Sequence, residues 1–201
     1  MSQGFPPKYH MHPVPSDQEL LVAVGSNMHW RALTPERVVE SAIKTVADRG
    51  VSIRKVSTYY QTPCFPAGAG PDYVNAAFSV SWSGTAQELL SVLHEVEQEH
   101  QRMRTVRWGM RTLDLDLIAF GQQVSPSREV FDHWRRLDPA KQQVEAPDQL
   151  ILPHPRLHER AFVLIPLNDI APDWTHPVLG RTVRQMLDDL PQKMLDEVVP
   201  L

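Results

Sequence analysis

At 201 residues, with 42% apolar residues and a formal net charge of −4, the chain is long enough for one domain with a full hydrophobic core. That balance excludes wholesale disorder, and it excludes a general nucleic-acid binder, which carries a strong basic excess. No apolar run approaches 18 residues, mean hydropathy is −0.32, and Met1–Ser16 lacks the apolar core of a secretory signal, so neither a membrane span nor export is expected.

Residues 1–18 hold Pro6, Pro7, Pro13 and Pro15 among polar neighbours and read as a flexible N-terminal extension. Leu20–Val24, closed by the turn signal Gly25-Ser26-Asn27, predicts a buried strand. Thr34-Pro35 opens a helix as N-cap and first helical residue, with Val38, Val39, Ala42, Ile43 and Val46 on its apolar face and Gly50 at its end. Val51–Tyr60 alternates and is rich in β-branched and aromatic residues, which predicts a strand. Gln61–Asp72 is broken by Pro63, Pro66, Gly68, Gly70 and Pro71, and loops of that length are often functional. Tyr73–Trp82 predicts another strand. Thr85-Ala86-Gln87-Glu88 forms a capping box ahead of a helix carrying Leu89, Leu90, Leu93 and Val96.

An arginine-rich segment follows, and Thr112–Phe120 returns to a strand. Residues 122–149 are polar without a period and read as an insertion with one short helix near Arg128–Leu137. Leu150–Pro155 is extended. Leu157–Ile170 predicts one buried helix, kinked or limited by Pro166, and Thr182–Leu190 a last amphipathic one. The order β-α-β-β-α-β followed by helices predicts an α+β fold: a ferredoxin-like antiparallel sheet covered by helices in three α-β-α layers. Residues 19–201 form one domain in this reading. The single cysteine, Cys64, excludes an internal disulfide and a cysteine-based zinc cluster, which suits a reducing, cytoplasmic setting.

The most informative stretch is Thr112-Leu113-Asp114-Leu115-Asp116-Leu117. Strand side chains alternate faces, so the three leucines point to the core while Asp114 and Asp116 share the opposite face, roughly 7 Å apart. Two such carboxylates repel unless a cation or basic neighbours intervene, and hard oxygen ligands suit Mg²⁺. A solvent-facing polar strand would show the same pattern. Upstream, Arg102, Arg104, Arg107 and Arg111 lie in a segment without an acid, and arginine forks suit phosphate oxygens. The acid pair and the arginines together have the composition of a metal–polyphosphate site, although no Walker-type loop and no Gly-x-Gly-x-x-Gly fingerprint is present. Tyr73 and Asn75 share one strand face, where a ring and an amide can bind a flat heterocycle; ordinary strand packing is the plainer alternative. In Pro153-His154-Pro155-Arg156-Leu157-His158-Glu159-Arg160, His154 and Arg160 are candidate phosphate donors. Trp108 either covers a ligand or anchors its loop.

Taken with Val24-Gly25-Ser26-Asn27, Thr62-Pro63, Pro71-Asp72-Tyr73-Val74-Asn75-Ala76-Ala77, Arg107-Trp108-Gly109-Met110-Arg111-Thr112-Leu113-Asp114-Leu115-Asp116 and Pro153–Phe162, the chain resembles the 6-hydroxymethyl-7,8-dihydropterin pyrophosphokinase family from about Leu20 to Leu190. The block around Asp114 and Asp116 is the most specific part of the match. The resemblance implies transfer of pyrophosphate from ATP to the pterin hydroxymethyl group, releasing AMP, in folate biosynthesis. It implies two Mg²⁺ ions on Asp114 and Asp116. Thr62, Pro63, Phe65, Tyr73, Asn75, Trp108 and Phe162 match the pterin pocket, with the ring stacked between Tyr73 and Phe162. Glu97, Arg102, Arg104, Arg107, Leu117, His154 and Arg160 match ATP contacts, and Arg102, Arg107 and Arg111 are counted with the catalytic groups. A monomer with small-molecule substrates and no nucleic-acid or membrane partner is expected.

This sequence departs from the family pattern at Met110, where proline is usual, at Gln149, where some members carry a nucleotide-contacting arginine, and in the length of 122–149. Two other readings use part of the same residues: another Mg²⁺-dependent enzyme acting on a phosphoanhydride, which gives Tyr73 and Asn75 no role, and a non-catalytic pterin- or nucleotide-binding protein, which gives the aspartate pair none.

Overall fold

The structure, a computed structural model, describes residues 18–64, 70–100, 112–138, 141 and 145–201. In chain order the elements are β1 (Leu20–Ser26), α1 (Pro35–Asp48), β2 (Ser52–Val56), β3 (Tyr60–Thr62), β4 (Tyr73–Ser81), α2 (Ala86–Glu99), β5 (Asp114–Phe120) and α3 (Arg128–Arg135). A single 3-10 turn (Leu157–Glu159), α4 (Ala161–Ile170), α5 (Val183–Asp188), α6 (Gln192–Asp196) and β6 (Val199–Pro200) complete them. The expected flexible extension, residues 1–18, lies outside the described residues apart from its last one.

The sheet is antiparallel, in the order β5-β1-β4-β3-β6, with β2 also paired to β4. Its two faces are both covered, which gives the expected three layers. On one face Val22, Val24, Phe78, Leu113, Leu115 and Leu117 pack against Val38, Val39, Ala42 and Val46 of α1 and Leu89, Leu93 and Val96 of α2. On the other, Leu21, Ala77, Ile118 and Ala119 pack against Val163, Leu164, Leu167 and Ile170 of α4, together with Leu157, Trp174 and Val183. Small residues such as Ala77 let the apolar helix α4 lie close to the strands.

Several elements follow from local chemistry. Thr85 and Glu88 make the reciprocal capping box. Gly50, at φ +88°, ends α1 in the left-handed region that glycine adopts without strain. No helix of the described residues is long and apolar enough to cross a membrane.

Four expectations are corrected. The strand expected over Val51–Tyr60 is two, β2 and β3, because Ser57 interrupts the ladder: its N–H donates to Ala77 O and its Oγ accepts the Ala77 N–H, each at 2.9 Å. Gln61 and Thr62 then belong to β3 rather than to the loop. Leu157–Ile170 is not one helix but a 3-10 turn and α4, separated by Arg160 in an extended conformation (φ −117°, ψ 104°). Pro166 lies inside α4 without ending it; as the sixth residue of the helix it leaves the Phe162 carbonyl without its i+4 donor. The C-terminal α6 and β6 were not expected.

Candidate active site

The register brings the candidate residues onto one face. Gly25 of β1 is opposite Asn75 of β4 on one side and Asp114 of β5 on the other, and Ala23 is likewise opposite Ala77 and Asp116. Residues opposite each other across an antiparallel ladder point the same way. Tyr73 and Asn75 therefore share a face with Asp114 and Asp116, separated by one glycine-bearing strand, roughly 10 Å across. This is the face that α4 covers. Ala161, at the start of α4, packs on Tyr60, which is itself opposite Asn75. The candidate residues lie at this end of the helix, where Phe162 stays 40% exposed.

Two buried polar residues at the end of β1 hold the surrounding chain. Ser26 Oγ donates to the Thr112 carbonyl at 2.6 Å, and Asn27 Nδ2 donates to the Pro71 carbonyl at 3.0 Å. They tie the chain entering β5 and the chain entering β4 to a single turn. Sequence reasoning used Gly25-Ser26-Asn27 as a turn signal and missed this function. The signal available was two hydrogen-bonding residues after an apolar strand, which is too common to be decisive.

On the Tyr73 side, Asn75 Nδ2 donates to Thr62 Oγ1 at 2.7 Å, and both side chains are buried. Thr62 thus fixes the amide of Asn75. Pro63 is exposed and follows directly. Tyr73, the first residue of β4, is half-buried.

On the aspartate side, Asp114 and Asp116 are half-buried, and Leu113, Leu115 and Leu117 alternate with them and point into the core. Arg160 reaches this pair from the break before α4. Burial pulls its guanidinium down from its ordinary value, while the carboxylates of Asp116 and then Asp114 favour its charge. Its guanidinium carbon also lies 5.7 Å from the centroid of the Phe162 ring. His154 is placed by its backbone N–H, which donates to Ile118 O of β5 at 2.8 Å. The N–H of Arg156 donates to His154 Nδ1 at 3.2 Å, so the neutral ring carries its proton on Nε2. Burial, then the charges of Arg160 and Arg156, push the His154 pKa down to about 3, against the opposing pull of Asp114. His154 is therefore a neutral hydrogen-bond donor at pH 7.

Glu97 and Leu117, matched to ATP contacts by the resemblance, are both core residues as side chains. Glu97 is 2% exposed, and its Oε1 accepts the Leu115 N–H at 2.8 Å, between the two aspartates. Its carboxylate braces β5. The Leu117 side chain packs against α1 and α2. Phe65, Arg102, Arg104, Arg107, Trp108 and Arg111 lie outside the described residues. Among the described residues no three His, Cys, Asp or Glu side chains form a metal cage. A cation on Asp114 and Asp116 would draw its other ligands from water and phosphate, the habit of Mg²⁺.

Residues 21–172 match the family model described as 7,8-dihydro-6-hydroxymethylpterin-pyrophosphokinase (HPPK). The 2-amino-4-hydroxy-6-hydroxymethyldihydropteridine pyrophosphokinase of Synechocystis sp. is 36% identical over 141 residues, 70% of this chain and 62% of that one. This chain therefore spans a little over three-fifths of that relative's length. The enzyme of the same name from Pseudomonas aeruginosa is 32% identical over 177 residues, 87% of this chain and 93% of the relative. Among solved structures, the Plasmodium falciparum HPPK-DHPS wild type with pteroate aligns with a TM-score of 0.59 at 14% identity, covering 85% of this chain and 42% of that one. That likeness bears on the fold.

Proposed function

The chain belongs to the 7,8-dihydro-6-hydroxymethylpterin-pyrophosphokinase family, and from that premise we propose that it transfers pyrophosphate from ATP to 6-hydroxymethyl-7,8-dihydropterin, a step of folate biosynthesis. The observation that carries the reading is the division of one sheet face by Gly25 into an aromatic–amide half and a carboxylate half. A flat pterin belongs on the first half. Tyr73 and Phe162 offer it faces, Asn75 offers its amide carbonyl, and Thr62, Pro63, Phe65 and Trp108 complete the pocket.

The second half suits polyphosphate. Asp114 and Asp116 present hard oxygen donors on one face, and Arg160 and His154 stand within electrostatic reach. These residues fit a pair of Mg²⁺ ions, which when bound would neutralise phosphate charge and favour the ionised hydroxymethyl group. Arg160, together with Arg102, Arg104, Arg107 and Arg111, holds the phosphate chain so that the β-phosphorus meets the pterin oxygen in line. His154 Nε2–H donates to a phosphate oxygen without adding charge. Glu97 acts through Leu115 by holding the strand that carries both aspartates.

We place the activity in one domain, residues 19–201, in a cytoplasmic monomer, a setting supported by the single thiol. The test is product analysis with ATP, Mg²⁺ and 6-hydroxymethyl-7,8-dihydropterin. Pterin-dependent AMP with a diphosphorylated pterin is expected. ADP, or nucleotide turnover without pterin, would replace this reading with that of another phosphoanhydride enzyme.

A further inference from the structure

The insertion is anchored beside the nucleotide half of the face. Ser125 and Leu152 exchange both backbone hydrogen bonds, at 3.0 and 3.1 Å, so the excursion between them closes two residues before His154. From α3, the fully buried Phe131 lies against His176, with ring centroids 5.4 Å apart, and Trp174 lies 5.8 Å from the same imidazole. Trp174 Nε1 donates to Gly121 O, and Gln122 Nε2 donates to Thr175 O. Leu157 of the 3-10 turn is buried in the cluster that contains Trp174. Residues 174–176 thus sit between the insertion and the turn that joins His154 to Arg160.

His176 is wholly buried, and its hydrogen bonds fix its tautomer. The N–H groups of Val178 and Leu179 donate to Nδ1 at 3.1 and 3.3 Å, so the ring proton is on Nε2, which is buried and has no partner among the described residues. His158 Nδ1, in the turn, is also buried and has no partner among the described residues. The charged groups that face His176 are His158 from the turn and Arg135 from α3, and each opposes a positive charge there. Around His158, Arg135 and Arg156 likewise oppose a charge, and Glu159 favours one. Burial is the largest influence on His176, which is pushed down to about 4.

We propose that His176 is a positioning residue: as a neutral ring between α3 and the Leu157–Glu159 turn, it fixes the segment that carries His154 and Arg160, and nucleotide affinity depends on its staying uncharged. The dependence on nucleotide rests on the function proposed above; the coupling of insertion to turn does not. A proton on His176 places a cation among Arg135, His158 and two aromatic rings, and the segment relaxes to separate them. The sign follows from the depressed pKa. The tight segment is favoured fully above pH 6.5, the ordinary histidine value, and progressively less as pH falls toward about 4.

His176→Asn keeps an acceptor for the Val178 and Leu179 N–H groups and removes the titration. Calorimetry of the full chain with Mg-ATP and, separately, with 6-hydroxymethylpterin, and hydrogen exchange over 128–137 and 154–160 without ligand, read the two halves of the proposal. From about pH 7.5 to about pH 5.5, wild type should lose up to about tenfold more ATP affinity than His176→Asn, the effect of one unit of linkage. Pterin affinity should change equally in the two, and the protection of both segments, taken relative to the intrinsic amide exchange rate at each pH, should fall in wild type alone. The titration of ATP's own phosphates cancels in the comparison. Parallel ATP profiles with identical exchange would overturn the proposal. If ATP fails to bind at any pH, the functional reading falls, and exchange alone decides the coupling: acid-dependent loosening in wild type only supports it, and identical exchange overturns it. His158→Gln leaves the His176 packing in place and covers the case in which His176→Asn does not fold. Without the opposing charge the acid transition moves to higher pH, and an unmoved transition counts against the coupling.

Discussion

Gly25 is the residue on which the division of the face depends. A Cβ at this position would lie 2.7 Å from Asn75 Oδ1 and 3.9 Å from Tyr73 Cδ1. Asn75 is not free to move aside, because its Nδ2 is held by Thr62. Gly25→Ala is therefore expected to weaken pterin binding by about tenfold and to destabilise the fold by about 1–3 kcal/mol, the usual cost of overpacking. Calorimetry with pterin and a urea titration check it, and unchanged pterin affinity would remove Asn75 from the pocket. The same scale explains His154. Its stability contribution is whole above its ordinary value of 6.5 and fades as pH falls toward about 3, so a neutral donor persists through the physiological range. That Asp114 and Asp116 share one face of their strand, and Tyr73 and Asn75 one face of theirs, was legible in the sequence, because strand alternation alone requires it. That Gly25 stands between the pairs was not, because it depends on which strands are neighbours.

At the scale of elements, the link between α2 and β5 runs through a buried carboxyl group that the family resemblance assigned to nucleotide. Glu97 Oε1 accepts the Leu115 N–H on β5, the edge of the sheet among the described residues. Glu97→Ala should cost about 1–3 kcal/mol in urea unfolding, the cost of leaving a buried backbone donor unmade. It should also lower turnover by loosening the strand that carries the aspartates. An unchanged unfolding free energy would return Glu97 to the nucleotide site alone. The elements with strong local signals, such as the capping box at Thr85 and the proline-led start of α1, are read correctly from sequence. Those that fail do so for tertiary reasons. Leu157–Ile170 is apolar enough to read as one buried helix, and nothing local announces that Arg160 turns extended to face Asp116 and Asp114. The two-residue β6 exists because β3 offers it an edge, with Gln61 and Tyr60 paired to Val199 and Pro200.

At the scale of the molecule, the order β5-β1-β4 places the ends of three strands side by side, and α4 covers their face up to the candidate residues. A sequence shows the α+β pattern and the motifs one at a time. It does not show that segments as distant as Thr62, Asp116 and Arg160 come to one face of the sheet, because that follows from strand order and from the placement of one helix. The central claim is that the two halves of this face take different ligands. Calorimetry of Tyr73→Ala and Asp116→Ala, each titrated with Mg-ATP and with 6-hydroxymethylpterin, tests it most directly. The prediction is a crossed result: Tyr73→Ala loses pterin affinity and keeps ATP, while Asp116→Ala keeps pterin and loses Mg²⁺-dependent ATP binding, with both proteins folded. Equal loss of both ligands in either folded variant would contradict the division of the site.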